Sequence, residues 1–173
     1  MPTASDDVAF PTLTETQLRT QARYGTASAV AEGESLFVEG QLEYDFIAIL
    51  EGEVDIIRHD PATGEESVIA SHGAGRFLGE LGLLTGQRTF LRGRATRAGR
   101  VLRIDPGTFR RMLAAEGDIG DIVFAAFVAR REVLLSGAAS TLRVIGSRYS
   151  RAALEIRSYV RRQRLAHTWI DLD

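Results

Sequence analysis

The chain has 173 residues, with 21 basic and 23 acidic side chains and a formal net charge of −2. A charge so near zero gives no general attraction to nucleic acid or to anionic membranes. Cysteine is absent, which excludes disulfides, thiolate metal sites and thiol catalysis within these residues. No apolar run approaches the roughly 18 residues of a membrane span, and the N-terminus lacks a secretory signal, so a cytoplasmic location is predicted.

A short helix and then a set of short strands are predicted from the N-terminus. Thr14 followed by Gln17 has the spacing of a capping box, and Gly25 is placed to end the helix in a left-handed conformation. Beyond it the hydrophobic period becomes two, and turn residues separate the runs, which is typical of a small antiparallel barrel or jelly roll. The predicted strands are residues 36–38, 46–50, 54–58, 67–71, 90–95 and 101–104.

Two helices are predicted after the last of these strands. Asp105 and Pro106 supply a cap and a first helical position, and Asp118 can cap a second helix. The second helix has a broad apolar stripe formed by Ile119, Ile122, Val123, Ala126 and Phe127. Either the barrel or a partner could cover that stripe, so residues 118–135 are a candidate surface for a homodimer.

The pattern changes again near residue 138. Residues 142–145 and 168–172 are predicted strands, and residues 151–164 a helix between them. A unit of this size matches one βαβ element, which by itself cannot bury both faces of its sheet. The predicted organisation is therefore a first domain over residues 1–137 and the beginning of a second over residues 138–173.

The stretch from Phe77 to Ala95, FLGELGLLTGQRTFLRGRA, contains the residues that could bind a phosphorylated ligand. Gly79 and Glu80 stand at the start of a short helix, where backbone N–H groups attract anions and glycine permits close approach. A nearby arginine could pair with phosphate oxygens through its planar guanidinium. Read without a ligand, Glu80 stabilises its own helix terminus, and the arginines form a solvated strand face.

These features resemble the cyclic nucleotide-binding domain found in catabolite activator proteins, protein kinase A regulatory subunits and gated channels. The resemblance covers about residues 10–135 and rests on the glycine pattern, the run FIAILEGEVDI and the GEL cassette. It implies a mainly β fold with helices, an antiparallel, jelly-roll-like β-roll, and cyclic AMP or cyclic GMP as ligand. In that family the glutamate accepts the ribose hydroxyl and main-chain N–H groups hold the phosphate. The implied ligand-binding residues are Gly79, Glu80, Leu81, Gly82, Arg88, Thr89 and Leu91.

The family's phosphate-pairing arginine is displaced in this sequence. Counted without gaps from Glu80, its position falls on Thr89, and Arg88 comes one residue early. Strand side chains alternate, which predicts an uncharged inward face and a basic outward face. The inward residues are Thr89, Leu91, Gly93 and Ala95, and the outward residues are Arg88, Phe90, Arg92 and Arg94. A bulge near Gly86 could return Arg88 to the inside. If Arg88 instead points to solvent, the cassette is a scaffold or a site for a less charged ligand.

Residues 138–173, the tail of the chain, show a second resemblance. The runs RVIGSRYS and HTWIDLD look like the opening βαβ of a thioredoxin-like unit in bacterial proteins that fuse a cyclic nucleotide-binding-like domain to a thioredoxin reductase-like flavoenzyme. Serine, arginine and tyrosine fill residues 147–150, where a redox unit would have cysteines. FAD and NADPH would therefore bind only in a further C-terminal part, and this chain has no cofactor of its own.

The predicted function is that of a regulatory or sensory domain joined to such a reductase. The alternative is a module that only dimerises or docks domains. A transcription regulator would need a DNA-binding module, for which a βαβ unit stands here instead, so no DNA partner is expected. The three histidines lack ligand spacing, and no catalytic residue or metal site is assigned.

Overall fold

Six antiparallel strands form the main sheet in this computed structural model, which describes residues 8–59, 63–86, 88–138, 143–162 and 168–173. The strands are β1 Thr26–Val30, β2 Ser35–Phe37, β3 Phe46–His59, β4 Glu66–Gly73, β5 Phe77–Leu78 and β6 Arg92–Ile104. Their order is β1-β6-β3-β4, with β2 also paired to β6 and β5 to β3. The prediction of a mainly β, antiparallel roll with helices is confirmed.

Two long strands replace four short predicted ones. Residues 46–50 and 54–58 belong to the single strand β3, and residues 90–95 and 101–104 fall largely within β6. The pairing of β3 with β6 shifts register near Glu51 and Glu53, and β3 continues there without a turn. Gly52 has a φ of 97°, which lets β3 bend without leaving the sheet. The glycine at position 52 therefore marks a bulge within one strand and not a turn between two strands.

Helix α1, Glu15–Gln21, begins as predicted and ends differently. Thr14 Oγ1 accepts from Gln17 N at 3.3 Å, and Gln17 Oε1 accepts from Thr14 N at 2.8 Å, which confirms the capping box. The helix ends at Ala22 in a right-handed conformation, so the prediction of a left-handed cap at Gly25 is wrong. Gly25 is needed for space instead, because a Cβ there would overlap the carbonyl oxygen of Arg103.

The core joins the strands of the roll to the helix inserted before β6 and to the two helices after it. These helices are α2 Glu80–Thr85, α3 Pro106–Ala115 and α4 Gly117–Ala138. Phe46 stacks on Phe109 of α3 at 4.6 Å between ring centroids and contacts Phe77 at 5.4 Å. Three residues of the predicted α4 stripe, Ile119, Val123 and Ala126, are buried. Part of that stripe is thus covered within the chain.

The tail forms a small parallel sheet. Strands β7 Arg143–Gly146 and β8 Thr168–Asp171 pair in parallel, and α5 Arg151–Arg162 lies between them in sequence. A Cβ at Gly146 would lie 2.5 Å from the Cβ of Ala153, which explains the glycine at this helix contact. The predicted strand–helix–strand order is present, with Ala153 and Val160 of the helix buried and Ile156 exposed. Residues 163 and 164 of the predicted helix lie outside the described residues.

The chain divides into two compact units, Met1–Phe127 and Val128–Asp173, and the division falls within α4. The predicted domain boundary between residues 137 and 138 stays a prediction. In the described part of the chain, no helix is both long and apolar enough to cross a membrane.

Candidate functional site

The first half of the candidate cassette is the short helix α2. Strand β5 pairs with β3, Ile47 opposite Leu78, and so delivers the chain to the helix start. Gly79 has a φ of 101°, and a Cβ there would lie 2.8 Å from the Asp45 carbonyl oxygen. Only glycine fits both constraints. Glu80 follows in the first turn with 1% of its surface exposed, so its carboxylate lies inside the protein.

The second half of the cassette leads into β6, and its two faces alternate as predicted. Leu91, Gly93 and Ala95 are buried, and Thr89 is half-buried. Thr89 Oγ1 donates to the Leu91 carbonyl at 2.9 Å and accepts from Leu91 N at 3.2 Å. The threonine hydroxyl is therefore used by its own loop.

The predicted outward face holds the arginines. Arg88 is exposed, and its Nη1 donates to the Gly40 carbonyl at 2.8 Å. Arg92 pairs with Glu66 at 2.9 Å, and Arg94 lies 3.6 Å from the same carboxylate. No inward rotation of Arg88 by a bulge near Gly86 is seen, so the guanidinium stays outside the roll.

Two aromatic residues that sequence reasoning missed fill the space inside the cassette. Phe37 is paired with Gly93 across β2 and β6, and a Cβ at Gly93 would lie 2.6 Å from the phenylalanine ring. Tyr44 stacks on Phe37 at 5.4 Å and is 7% exposed. A large aromatic residue that faces a glycine on a neighbouring strand could have indicated the position of Phe37. The register between β2 and β6 that brings the two together could not be known from the sequence. Nothing in the sequence gives the direction of Tyr44.

The Tyr44 hydroxyl reports the electrostatics of this space. Burial raises the pKa of Tyr44 to about 12, the nearby backbone N–H of Gly82 in the first turn of α2 opposes the shift, and the negative charge of Glu80 adds to it. The interior of the cassette therefore disfavours an additional negative charge.

Comparison with known families decides the classification. The profile of the cyclic nucleotide-binding domain matches residues 28–116, slightly more than half of the chain. The chain belongs to the cyclic nucleotide-binding domain family. The match covers the six strands from Ser28 onward together with α2 and α3, so the first predicted resemblance is confirmed at the family level. Among curated proteins, none matches this chain significantly.

Solved structures show the same fold. The catabolite activator protein of Thermus thermophilus matches with a TM-score of 0.61 and 20% identity, covering 76% of this chain and 64% of that one. Oxidized CprK in complex with o-chlorophenolacetic acid matches at 0.58 and 16%, covering 73% and 52%. The c-di-GMP responsive regulator CLP of Xanthomonas campestris matches at 0.60 and 20%, covering 71% and 61%. This chain thus spans between half and two thirds of the length of these proteins.

The family assignment leaves the finer predictions open. Ligand roles for Gly79, Glu80, Leu81, Gly82, Arg88, Thr89 and Leu91 remain predictions, as does a homodimer through residues 118–135. The comparisons give no support to the thioredoxin reductase resemblance or to a thioredoxin fold for the tail. In the described residues, no group of three or more histidine, aspartate or glutamate side chains is placed to hold a metal ion.

Proposed function

We propose that this cyclic nucleotide-binding-type domain is a regulatory domain whose ligand carries less negative charge than a cyclic nucleotide. The observation that carries the proposal is the position of Arg88, which is exposed and bonded to the Gly40 carbonyl. A phosphate inside the roll would lie among uncharged side chains such as Leu91 and Ala95. A buried anion without a cation is costly, and backbone N–H groups offset only part of that cost.

The acidic side of the cassette supports the same conclusion. Glu80 is buried at the helix start, and its charge already opposes ionisation of the neighbouring Tyr44. A cyclic phosphate would place a second negative charge in the same low-dielectric space. An uncharged ligand avoids that repulsion and could still use the backbone N–H groups.

Two of the structural neighbours are associated with ligands outside simple cyclic nucleotides. One is described in complex with o-chlorophenolacetic acid, and another is described as responsive to c-di-GMP. Their identity to this chain is 16% and 20%, so they support only the idea that one fold serves chemically different ligands.

Isothermal titration with cyclic AMP and cyclic GMP tests the proposal. We expect no saturable heat with either nucleotide at about millimolar concentration, which corresponds to a binding free energy weaker than about −4 kcal/mol. Arg88→Ala should behave like the wild type, because the exposed guanidinium contributes nothing inside the roll. Saturable binding that is lost in Arg88→Ala would contradict the proposal, since Arg88 would then have to reach inward.

The regulatory mechanism follows from the packing of the roll against α3. Phe46 of β3 and Phe109 of α3 are both fully buried and stacked. A ligand in the cassette regulates the following domain only if it binds one arrangement of roll and helices more tightly than another. We place the change in this contact, because it joins the sheet carrying the cassette to the helices that lead onward.

We further propose that the regulated domain is a thioredoxin reductase-like flavoenzyme. The support is the parallel arrangement of β7 and β8 with α5 between them in sequence. A dithiol would lie outside residues 1–173, because these contain no cysteine. FAD and NADPH would likewise be bound by the reductase domain. The DNA sequence downstream of the codon for Asp173 tests this proposal directly, because it would encode dinucleotide-binding glycine motifs and a cysteine pair.

A second candidate function, dimerisation without signalling, is favoured by the surface of α4. Phe124 is 60% exposed, and its ring lies 5.9 Å from that of Phe127 on the same helix. An exposed aromatic residue on a helix surface is of the kind that is enriched in protein interfaces.

Analytical ultracentrifugation distinguishes this function. If α4 forms a dimer, Phe124→Glu is expected to shift the protein from dimer to monomer at micromolar concentration, because it buries a charge in the helix pair. Phe90→Glu is the matched control, since Phe90 is 57% exposed and lies on the roll instead. A wild type that sediments as a monomer, or a dimer unchanged by Phe124→Glu, would contradict dimerisation through α4.

A further inference from the structure

Two stacked aromatic side chains bridge the interior of the cassette from one half to the other. The Phe37 ring lies against the backbone of Gly93 on β6, where an added Cβ would be 2.6 Å and 2.9 Å from two ring carbons. Tyr44 stacks on Phe37 with 5.4 Å between the ring centroids, and one Tyr44 ring carbon is 3.4 Å from the position of a Cβ at Gly79. The pair therefore occupies the space between the inner face of β6 and the residue that caps α2.

Both rings are held in this space by the fold. Phe37 is 6% exposed and belongs to β2, which is paired with β6. Tyr44 is 7% exposed and follows a connection that is fastened to the cassette. In that connection, Gly40 N donates to the Thr89 carbonyl at 2.7 Å, and Thr89 N donates to the Gln41 carbonyl at 3.0 Å. Displacing a ring would break such contacts and leave a void, which is costly in a close-packed interior.

The exposed Arg88 adds to this fastening. Its Nη1 donates to the Gly40 carbonyl at 2.8 Å, so the guanidinium holds the outside of the connection whose far end carries Tyr44. Gly40 thus bonds to the same cassette segment through both its N–H and its carbonyl oxygen. The cation that a phosphate would need is used outside the roll, while aromatic rings fill the inside.

We propose that Phe37 and Tyr44 determine the specificity of the cassette by their size, so that its ligand is an uncharged molecule smaller than a nucleoside. This inference rests on the proposed function above, and it adds a limit on size to the limit on charge. A nucleoside has a fused base and a sugar, which would need the volume that the two rings already fill. Forcing extra atoms into a packed interior drives side chains off their rotamers and shifts the backbone.

Titration calorimetry with adenosine, which carries no phosphate, separates the limit on size from the limit on charge. The wild type should give no saturable heat at about millimolar concentration. Phe37→Ala should bind adenosine at about 0.1 mM, at least tenfold more tightly, because the lost ring leaves a buried apolar space for a flat base. Phe37→Val keeps a side chain suited to a strand and should show the same gain if Phe37→Ala does not fold.

Phe109→Ala is the matched control for a cavity made elsewhere. Phe109 is also a fully buried aromatic residue, but it belongs to α3 and stacks on Phe46. Its removal should create a comparable void without adenosine binding. Equal binding of adenosine to Phe109→Ala and Phe37→Ala would overturn the inference, because any aromatic cavity would then suffice. Folded Phe37→Ala and Phe37→Val that both fail to bind adenosine would overturn it as well.

Thr89→Arg distinguishes failure of this inference from failure of the proposed function. Thr89 lies on the inward face of the cassette, where an arginine could pair with a phosphate. Thr89→Arg alone should give no saturable heat with cyclic AMP, since both rings remain, whereas Thr89→Arg combined with Phe37→Ala should bind it. Adenosine binding to the wild type, or cyclic AMP binding to Thr89→Arg alone, would overturn the limit on size and leave the limit on charge standing. Cyclic AMP binding to the wild type would overturn the proposed function as well.

Discussion

Replacing Phe46 by alanine is expected to lower the free energy of unfolding by about 3–5 kcal/mol, the usual cost of removing a large buried aromatic side chain. Phe46 has no exposed surface and contacts both Phe77 and Phe109. Its removal would leave a cavity between the roll and α3 that two neighbouring rings cannot easily fill. Urea unfolding followed by circular dichroism measures the change as a lower midpoint with a similar slope.

Phe90→Ala is the control for the same chemical change at the surface. Phe90 is exposed on the outward face of the cassette, so its loss should change stability by less than about 0.5 kcal/mol. A loss at Phe46 as small as that at Phe90 would show that the roll and α3 do not share a packed core. The proposed route of regulation through this contact would then lose its basis.

Gly99→Ala is expected to destabilise the protein by about 3 kcal/mol, the upper part of the range for overpacking a tight core. An added Cβ would overlap the carbonyl of Glu51 and lie 2.7 Å from the backbone nitrogen of Gly52. These are backbone atoms of β3, so the collision cannot be relieved by rotating a side chain. The two longest strands would have to separate at this position. Thermal unfolding should show a marked fall in Tm.

Gly73→Ala is the matched control within the sheet. A Cβ at Gly73 would meet no heavy atom within 4 Å, and the residue does not need a left-handed conformation. Its substitution should be neutral or slightly stabilising, since alanine restricts the unfolded chain. Unfolding of both variants at the wild-type temperature would contradict the close approach of β3 and β6 at Gly99.

The sequence correctly predicted which residues of the roll form strands, but it divided two long strands into four short ones. Alternation identified the strand residues, but Glu51 and Gly52 were interpreted as a turn between two strands. Gly52 instead lets one long strand bend, and whether a glycine marks a turn or a bulge depends on the partner strand. The prediction of a helix cap at Gly25 was wrong for a similar reason. Glycine is needed there because the backbone of Arg103 on β6 leaves no room for a side chain.

The candidate site was half predictable. Local rules placed Glu80 at a helix start and put Arg88 and Leu91 on opposite faces, because both depend only on chain direction and on the period of a strand. Tyr44 and Phe37 were missed, since their meeting depends on how the connection after β2 folds against the cassette. No local pattern encodes that contact.

For this protein, sequence alone determined the family, the short cassette helix and the uncharged inner face that follows it. These depend on neighbouring residues, whose glycine conformations, caps and alternation act over a few positions. Only the tertiary structure decided that Arg88 bonds to Gly40 outside the roll and that Tyr44 fills the space within it. Both outcomes depend on long-range packing between β2, the connection after it and the cassette, where competing contacts are resolved only when the core closes.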